Sequence, residues 1–294
     1  MGSGIWSRDK FADYSRRAGR SVNASGAISG NYSAQEMFKS RSLDPALNVY
    51  NKIRECRDSE EHPETVPVIL ALDVTGSMGG AAVEVAKKLN TVMTELYDST
   101  KDVEFLIMGI GDLAYDYAPI QASQFESDIR IAEQLDKVFF EAGGGGNGYE
   151  SYTAAWYFAL NHTSLDCHGR GKKGLIITMG DEPLNPYLPK DPLNRALGGG
   201  AEADVETSAL YSEVTEKFEV YHLAVIDLLS CGGRYKDKIM DTFGAYLDSD
   251  HLRQVNVHNI SGTIIRIVKA FADRSCGVGK EASETKSKGK LISW

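Results

Sequence analysis

The chain has 294 residues, which is enough for one large α/β domain with extensions or for two small domains. Hydrophobic residues make up 42% of it and charged residues 25%, an ordinary balance for a soluble globular protein. No apolar run approaches the roughly 18 residues of a membrane span, and no apolar signal-peptide core stands near the amino terminus. We therefore expect a protein without a membrane span or a secretory signal.

Four cysteines lie far apart in the sequence and form no Cys-x-x-Cys pair: Cys56, Cys167, Cys231 and Cys276. This spacing argues against a zinc cluster and against a dense disulfide framework. Free thiols in a reducing compartment are the expectation, so we predict a cytoplasmic protein.

The net charge of −9 is divided unevenly along the chain. Residues 1–57 hold ten Lys and Arg against five Asp and Glu, a net +5, which leaves −14 on residues 58–294. A basic arm on an acidic body can bind nucleic acid or an acidic partner, or can lie across its own acidic domain. The acidity of the body argues against nucleic-acid binding outside residues 1–57.

Composition divides the chain into three parts. A basic, partly helical amino-terminal extension covers residues 1–62, an α/β domain covers 63–274, and a polar tail covers 275–294. We treat the middle part as the functional domain because it alone has regular strand and helix periodicity.

The extension carries two signals for helix starts. Ser33 and Glu36 have the spacing of a capping box. Asp44-Pro45 predicts the start of a second helix. That second helix would carry Leu47, Tyr50, Ile53 and Arg54.

Apolar, β-branched runs alternate with segments of helical periodicity between about residues 66 and 273. The predicted strands are Val66–Leu72, Val103–Ile110, Tyr117–Ala122, Gly174–Gly180, Val220–Ile226 and Leu252–Val257. The predicted helices begin near Ala81 and Ser151 and also cover Phe125–Phe140, Ala201–Phe218, Tyr235–Leu247 and Ser261–Phe271, with a long loop over Glu182–Gly200. This alternation predicts an α/β fold with a doubly wound, mostly parallel central sheet and helices on both faces.

A short polar loop, Asp73-Val-Thr75-Gly-Ser77, follows the first of these strands at its carboxyl end. Ligands of open α/β sheets bind at this edge. One carboxylate and two hydroxyls form a hard oxygen site, which suits Mg²⁺ or Mn²⁺ better than Zn²⁺ or copper. The same residue types also cap helices and form turns, so the loop alone leaves both interpretations open.

The loop resembles the Asp-x-Ser-x-Ser signature of von Willebrand factor A (vWA) domains, with Thr75 in place of the first Ser. Two later loops extend the resemblance to about residues 66–273. One is the glycine-rich segment that runs into Tyr149-Glu-Ser151-Tyr-Thr-Ala, and the other contains Asp181. The resemblance implies a Rossmann-like vWA fold, of an intracellular bacterial or phage type.

The resemblance also implies a metal ion-dependent adhesion site, or MIDAS, that holds Mg²⁺ or Mn²⁺. Its predicted ligands are Asp73, Thr75, Ser77, Ser151 and Asp181. Ser151 would stand for the ligating Thr of the family's second loop, with Glu150 and Asn147 as alternatives at that position.

Such a site implies a non-enzymatic protein-interaction module. The metal ion would accept an acidic side chain from a partner protein, for example an ATPase or another assembly component for which the chain serves as an adaptor. The predicted partner-binding rim consists of Gly76, Asp112, Tyr149 and Glu182.

An enzymatic alternative rests on the same first loop. Asp73-Val-Thr-Gly also resembles the first motif of haloacid dehalogenase-type phosphatases, in which Asp73 would be the nucleophile and Mg²⁺ would neutralise phosphate charge. Against it, Gly180-Asp181-Glu is followed by Pro183 instead of a further acid, and the nearby lysines precede the strand. A third alternative is an adaptor that acts through the basic arm, with nucleic acid or an acidic partner as its ligand.

Overall fold

The apolar run that begins at Val66 forms a central strand of a six-stranded sheet. The structure is a computed structural model, and it describes residues 4–100, 102–141, 148–226 and 232–275. Asn147 and the glycines before it, Cys231, Cys276 and the predicted tail beyond residue 275 lie outside the described residues.

The strands are β1 (Ser21–Val22), β2 (Ile28–Ser29), β3 (Arg54–Cys56), β4 (Val66–Asp73), β5 (Val103–Ile110), β6 (Ile120–Ala122), β7 (Thr163–Leu165), β8 (Gly174–Gly180), β9 (Tyr187–Leu188), β10 (Val205–Glu206), β11 (Phe218–Val225) and β12 (Leu252–Val255). The helices are α1 (Arg8–Arg17), α2 (Ala34–Met37), α3 (Gly79–Tyr97), α4 (Arg130–Leu135), α5 (Thr153–Asn161), α6 (Asp166–Gly169), α7 (Lys190–Leu197), α8 (Thr207–Lys217), α9 (Gly232–Gly244) and α10 (Ile260–Ser275). A 3₁₀ turn over Gly76–Met78 precedes α3.

The central sheet has the strand order β12-β11-β8-β4-β5-β6. Neighbouring strands are parallel, except that β6 runs antiparallel to β5 at the edge. From β4 the chain moves outward to β5, and from β8 it moves the other way to β11, so the strand order reverses between β4 and β8. The predicted doubly wound, mostly parallel sheet is confirmed.

Side chains of β4 alternate between two hydrophobic cores, as a strand covered on both faces requires. Val68, Leu70 and Leu72 belong to one core, which α3 and α10 cover. Ile69 and Ala71 belong to the other, which α5, α7, α8 and α9 cover. The continuous apolar run of β4 therefore reflects helices on both sides of the sheet.

The amino-terminal extension packs against the α/β unit along the first core. Trp6, Phe11, Met37 and Phe38 are buried there, together with residues of β4 and α3. The predicted capping box of α2 is confirmed, because Ser33 accepts the Glu36 backbone N–H while the Glu36 carboxylate accepts the Ser33 N–H.

The second helix predicted in the extension, from Asp44-Pro45, is wrong. The segment forms turns, an isolated bridge between Asn48 and Gln121, and then strand β3, which pairs in parallel with β7. The physical reason is Arg54, whose buried guanidinium donates hydrogen bonds to the carbonyl groups of Ala46, Asn48 and Ala122. A helix would carry these carbonyls away from the guanidinium.

Arg54→Ala is expected to lower the free energy of unfolding by about 2 to 4 kcal/mol, because one buried and two partly buried hydrogen bonds from a charged donor are lost. Urea denaturation measures the change. Arg41→Ala is the matched control, since Arg41 is exposed in the same extension. Equal stability of the two variants would contradict this role of Arg54.

The long helix predicted over Phe125–Phe140 is also wrong. Glu126 exchanges two backbone hydrogen bonds with Phe105, at 2.8 and 3.0 Å, so this part of the segment extends the edge of the sheet. Only α4, six residues long, is helical. The apolar residues that suggested one helix therefore belong to two structures, an extended part that pairs with β5 and the short helix α4.

The segment Glu182–Gly200 was predicted as a loop but contains β9 and α7. Three of its leucines are buried in the second core: Leu188, Leu193 and Leu197. The prolines and glycines between them made this apolar spacing hard to recognise in the sequence. β9 pairs antiparallel with β10, and for that reason the next helix begins at Thr207 and not at Ala201.

None of the helices in the described ranges is both long enough and apolar enough to span a bilayer. Cys56 and Cys167 are buried free thiols. Burial raises the pKa of the Cys167 thiol to about 12, which keeps it protonated and unreactive at neutral pH.

Candidate functional site

The three predicted loops meet at one edge of the central sheet. β4 ends at Asp73, β8 ends at Gly180 directly before Asp181, and β5 ends two residues before Asp112. Because β4 lies between β5 and β8 and all three are parallel, their carboxyl ends share an edge. The loops after β4 and β8 flank the point where the strand order reverses, which is where open α/β sheets bind ligands.

Asp73 is fully buried at the centre of this edge, and both of its carboxylate oxygens accept hydrogen bonds. Oδ1 accepts the Thr75 backbone N–H at 2.9 Å and the Thr75 hydroxyl at 2.5 Å. Oδ2 accepts the hydroxyl of Tyr152 at 2.7 Å. The Thr75 contacts hold the loop in a tight curl, so the alternating Asp and hydroxyl residues turn towards one another.

Ser77 connects the first loop with the third. It lies in the 3₁₀ turn before α3, and its hydroxyl donates to Asp181 Oδ1 at 3.0 Å. Asp181 is fully buried, whereas Ser77 is only half-buried. Ser77 is therefore the more accessible of the two residues.

The second loop brings Glu150 among the other acids. The Glu150 side chain is 2% exposed, and its Oε2 has no hydrogen-bond partner in the part of the chain that is described. The neighbouring Ser151 is also buried, and its hydroxyl accepts the Leu113 backbone N–H at 3.0 Å. Ser151 thus ties the second loop to the loop after β5, while Glu150 lies close enough to Asp73 for the charge of Asp73 to act on it.

Buried negative charges that face one another raise the pKa values at this edge. Burial, then the charge of Asp181, raises the pKa of Asp73 to about 7. Burial and the charge of Asp73 raise the pKa of Glu150 still further. Glu182 and Asp116 are raised to about 7 and about 6, in each case chiefly by burial. A divalent cation would offset these like charges.

The donor set fits Mg²⁺ or Mn²⁺. The residues are carboxylates and hydroxyls, the hard oxygen ligands that these ions prefer. No group of three or more His, Cys, Asp and Glu side chains with metal-binding geometry occurs among residues 4–275 outside the gaps. A site built from Ser77, Thr75, Asp73 and Asp181 does not require one, since half of its donors are hydroxyls.

Sequence reasoning missed Tyr152, which links all three loops. Its hydroxyl donates to Asp73 and accepts the Glu182 backbone N–H at 3.2 Å. The ring is buried beside His222 and Phe243, with ring centroids 5.2 and 5.7 Å away. The only signal in the sequence was its position directly after Ser151, in the loop that was predicted to supply a metal ligand.

Gly180 makes room for this tyrosine. A Cβ atom at position 180 would overlap Tyr152 Oη and the adjacent edge of its ring. Glycine is therefore required here by close packing, because its φ is not in the left-handed region.

The predicted rim is only partly at the surface. Gly76 is exposed, and Tyr149 and Glu182 are half-buried. Lys238 of α9 lies with its Nζ 4.0 Å from the centroid of the Tyr149 ring, and its charge lowers the pKa of Glu182 slightly against the larger effect of burial. Asp112 is 2% exposed and accepts the Ala114 backbone N–H, so it belongs to the interior of the edge.

Two exposed aromatic side chains extend the rim beyond the predicted residues. Tyr115 and Tyr117 are 62% and 73% exposed, on the loop that follows β5. Ser151 and Asp116 anchor this loop, since the Asp116 carboxylate accepts the Asp112 backbone N–H. Exposed tyrosines are typical of protein-binding surfaces.

Comparisons with known proteins give similarity of structure alone. No protein-family model and no curated protein matches the sequence. The pilus adhesin SpaC from Lactobacillus rhamnosus GG, in its open conformation, aligns with 76% of this chain and 31% of its own, at 12% identity and a TM-score of 0.48. This chain therefore spans about a third of SpaC. The vWF domain of the type V pili tip protein Mfa5 from Porphyromonas gingivalis aligns with 78% of this chain and 98% of its own, at 12% identity and a TM-score of 0.43. Because these TM-scores and identities are low, the fold class is assigned from the strand order of the chain itself.

Proposed function

We propose that this chain is a protein-binding module that holds Mg²⁺ or Mn²⁺ at the carboxyl edge of its sheet and binds an acidic side chain of a partner protein. Asp73, Thr75, Ser77 and Asp181 would hold the ion, as in the adhesion site that the first loop resembles. The ion supplies a positive charge that can accept a carboxylate from outside.

The observation that carries this proposal is the convergence of the first and third loops. The Ser77 hydroxyl meets the Asp181 carboxylate, and Asp73 lies buried beside them with a raised pKa. Carboxylates in such surroundings are destabilised unless a proton or a cation is added. The unpartnered oxygen of Glu150 adds a further acceptor in need of a positive charge.

The second loop offers two candidates for the remaining ligand. Glu150 has a buried carboxylate oxygen with no hydrogen-bond partner among the described residues, and burial and the charge of Asp73 raise its pKa. The Ser151 oxygen already accepts the Leu113 N–H. We therefore favour Glu150 over Ser151, and Asn147 stays an untested alternative.

A binding role is preferred to phosphatase chemistry because of the hydrogen bonds at Asp73. A nucleophilic carboxylate needs an oxygen with a clear approach to phosphorus. Here Thr75 occupies one Asp73 oxygen and Tyr152 the other, and the whole side chain is buried. Oδ2 of Asp73, which accepts the Tyr152 hydroxyl, keeps a lone pair that a small cation can use, whereas a phosphorus centre needs the space that Thr75 and Tyr152 occupy.

Titration of Mn²⁺ by isothermal calorimetry tests the proposal. Wild type is expected to bind, Asp181→Ala to lose binding, and Ser77→Ala to bind at least about tenfold more weakly because a direct hydroxyl ligand is gone. Ser208→Ala, an exposed serine on α8, is the matched control. Wild-type affinity in Ser77→Ala, with loss in Asp181→Ala, would instead favour the phosphatase alternative.

A pair of variants in the same titration distinguishes between Glu150 and Ser151 as the second-loop ligand. Glu150→Gln keeps the shape of the side chain and removes its charge, so we expect it to weaken Mn²⁺ binding about tenfold or more. Ser151→Ala should change the affinity less, since it mainly releases the Leu113 N–H. The reverse order of effects would assign the position to Ser151.

A further inference from the structure

A groove of about 930 Å³ lies between α10 and the edge strand β12, away from the residues of the metal site. Its walls carry four basic side chains, Lys173, Arg253, Arg266 and Arg274, and two acidic ones. Residues 58–294 have a net charge of −14, so a basic surface is an exception on this part of the chain. The groove is therefore a place where an anion would be attracted to an acidic protein.

The two acids in the groove leave part of its positive charge uncompensated. Glu219 forms an ion pair with Arg274 at 2.6 Å, and the exposed Asp250 pairs with Arg253 at 3.2 Å. Lys173 and Arg266 form no ion pair with any described residue; Lys173 donates to the Thr215 carbonyl and Arg266 to the Thr263 hydroxyl.

The groove has the dimensions of an extended peptide. Its lining runs from Asn259, directly before α10, to Arg274 near the end of that helix, about 22 Å, which equals the length of about seven residues of extended chain. The opposite wall is β12, whose outer edge pairs with no strand in the described ranges. Glu219 and Tyr221 of β11 and Lys173 before β8 also line the groove, so it extends across the sheet beside α10.

We propose that this groove binds an extended acidic segment of a partner protein. The segment would lie in the groove beside α10 with its carboxylates against Lys173 and Arg266. Arg253 can join this contact readily, because its pair with Asp250 is solvent-exposed and such pairs are weak. The proposal does not depend on the metal site.

Fluorescence anisotropy of a labelled ten-residue peptide of alternating Glu and Thr tests the proposal. The titration is done with the full chain in excess EDTA, so that no metal-bridged contact can contribute. We expect saturable binding, absent for the matched peptide of alternating Gln and Thr. Lys173→Glu with Arg266→Glu should weaken binding at least about tenfold.

Two controls make each outcome decisive. Lys52→Glu with Arg195→Glu changes the net charge equally at exposed positions outside the groove and should bind within about twofold of wild type. A labelled ten-nucleotide oligodeoxythymidine tests for a nucleic-acid ligand. No binding of the Glu peptide, equal weakening by both double variants, or tighter binding of the oligonucleotide would overturn the proposal.

Discussion

Mg²⁺ is expected to stabilise this protein more at pH 8 than at pH 5. In the metal-free chain, burial and Asp181 raise the pKa of Asp73 to about 7. Between the unfolded pKa, about 4, and this value the folded state binds more protons than the unfolded state, so stability falls as pH rises. The loss from Asp73 alone is of the order of 2 to 3 kcal/mol between pH 5 and pH 8.

A bound divalent cation reverses this trend, because it favours the ionised carboxylates and competes with protons for them. Thermal unfolding at the two pH values, with 10 mM Mg²⁺ or with EDTA, measures the effect. Asp181→Asn should abolish the Mg²⁺ effect and reduce the pH dependence of the metal-free protein. Asp191→Asn, at an exposed position on α7, should preserve both. A Mg²⁺ effect of the same size at pH 5 and pH 8 would contradict the prediction.

Gly180→Ala is expected to lower the free energy of unfolding more than any other addition of a single methyl group near the site. The new Cβ would overlap the hydroxyl and ring edge of Tyr152, which is 1% exposed and packed against His222 and Phe243. Overpacking of this kind costs about 1 to 3 kcal/mol or more. The displaced tyrosine would also release Asp73 and the Glu182 N–H, so Mn²⁺ affinity should fall together with stability.

Gly169→Ala is the matched control, because a Cβ at that position in α6 meets no atom within 4 Å. Tyr152→Phe separates the two effects. It removes the hydroxyl without adding volume, and should cost about 1 to 3 kcal/mol for the lost hydrogen bonds. If Gly180→Ala were as stable as Gly169→Ala, the close contact with Tyr152 would not constrain the site.

Much of the fold could be predicted because the strong signals are local. The four long strands of the sheet are mostly apolar, and the strands predicted at β4, β5 and β8 end within a residue or two of the observed ends. The errors fall where pairing partners are distant in the sequence. The segment after Asp44 became a strand through contacts with β7 and with the Ala122 carbonyl, and neither is visible in its own periodicity.

The candidate site was predictable to the same degree. Asp73, Ser77 and Asp181 follow strand ends, and parallel strands bring their carboxyl ends to one edge, so topology alone predicts that these residues meet. The orientation of Glu150 and Ser151 was not predictable. Adjacent side chains point in different directions, and the backbone path through a glycine-containing loop decides which of them faces the acids.

The sequence by itself determined the α/β class, the edge of the sheet that carries the polar loops, and the oxygen ligands available in those loops. These features depend on the periodicity of apolar residues and on residue type, which can be read from short stretches of sequence. Only the tertiary structure placed the Tyr152 hydroxyl between Asp73 and Glu182 and opened the basic groove between α10 and β12. Both features depend on side chains from elements far apart in the chain, and such proximity is decided by the packing of helices on the sheet.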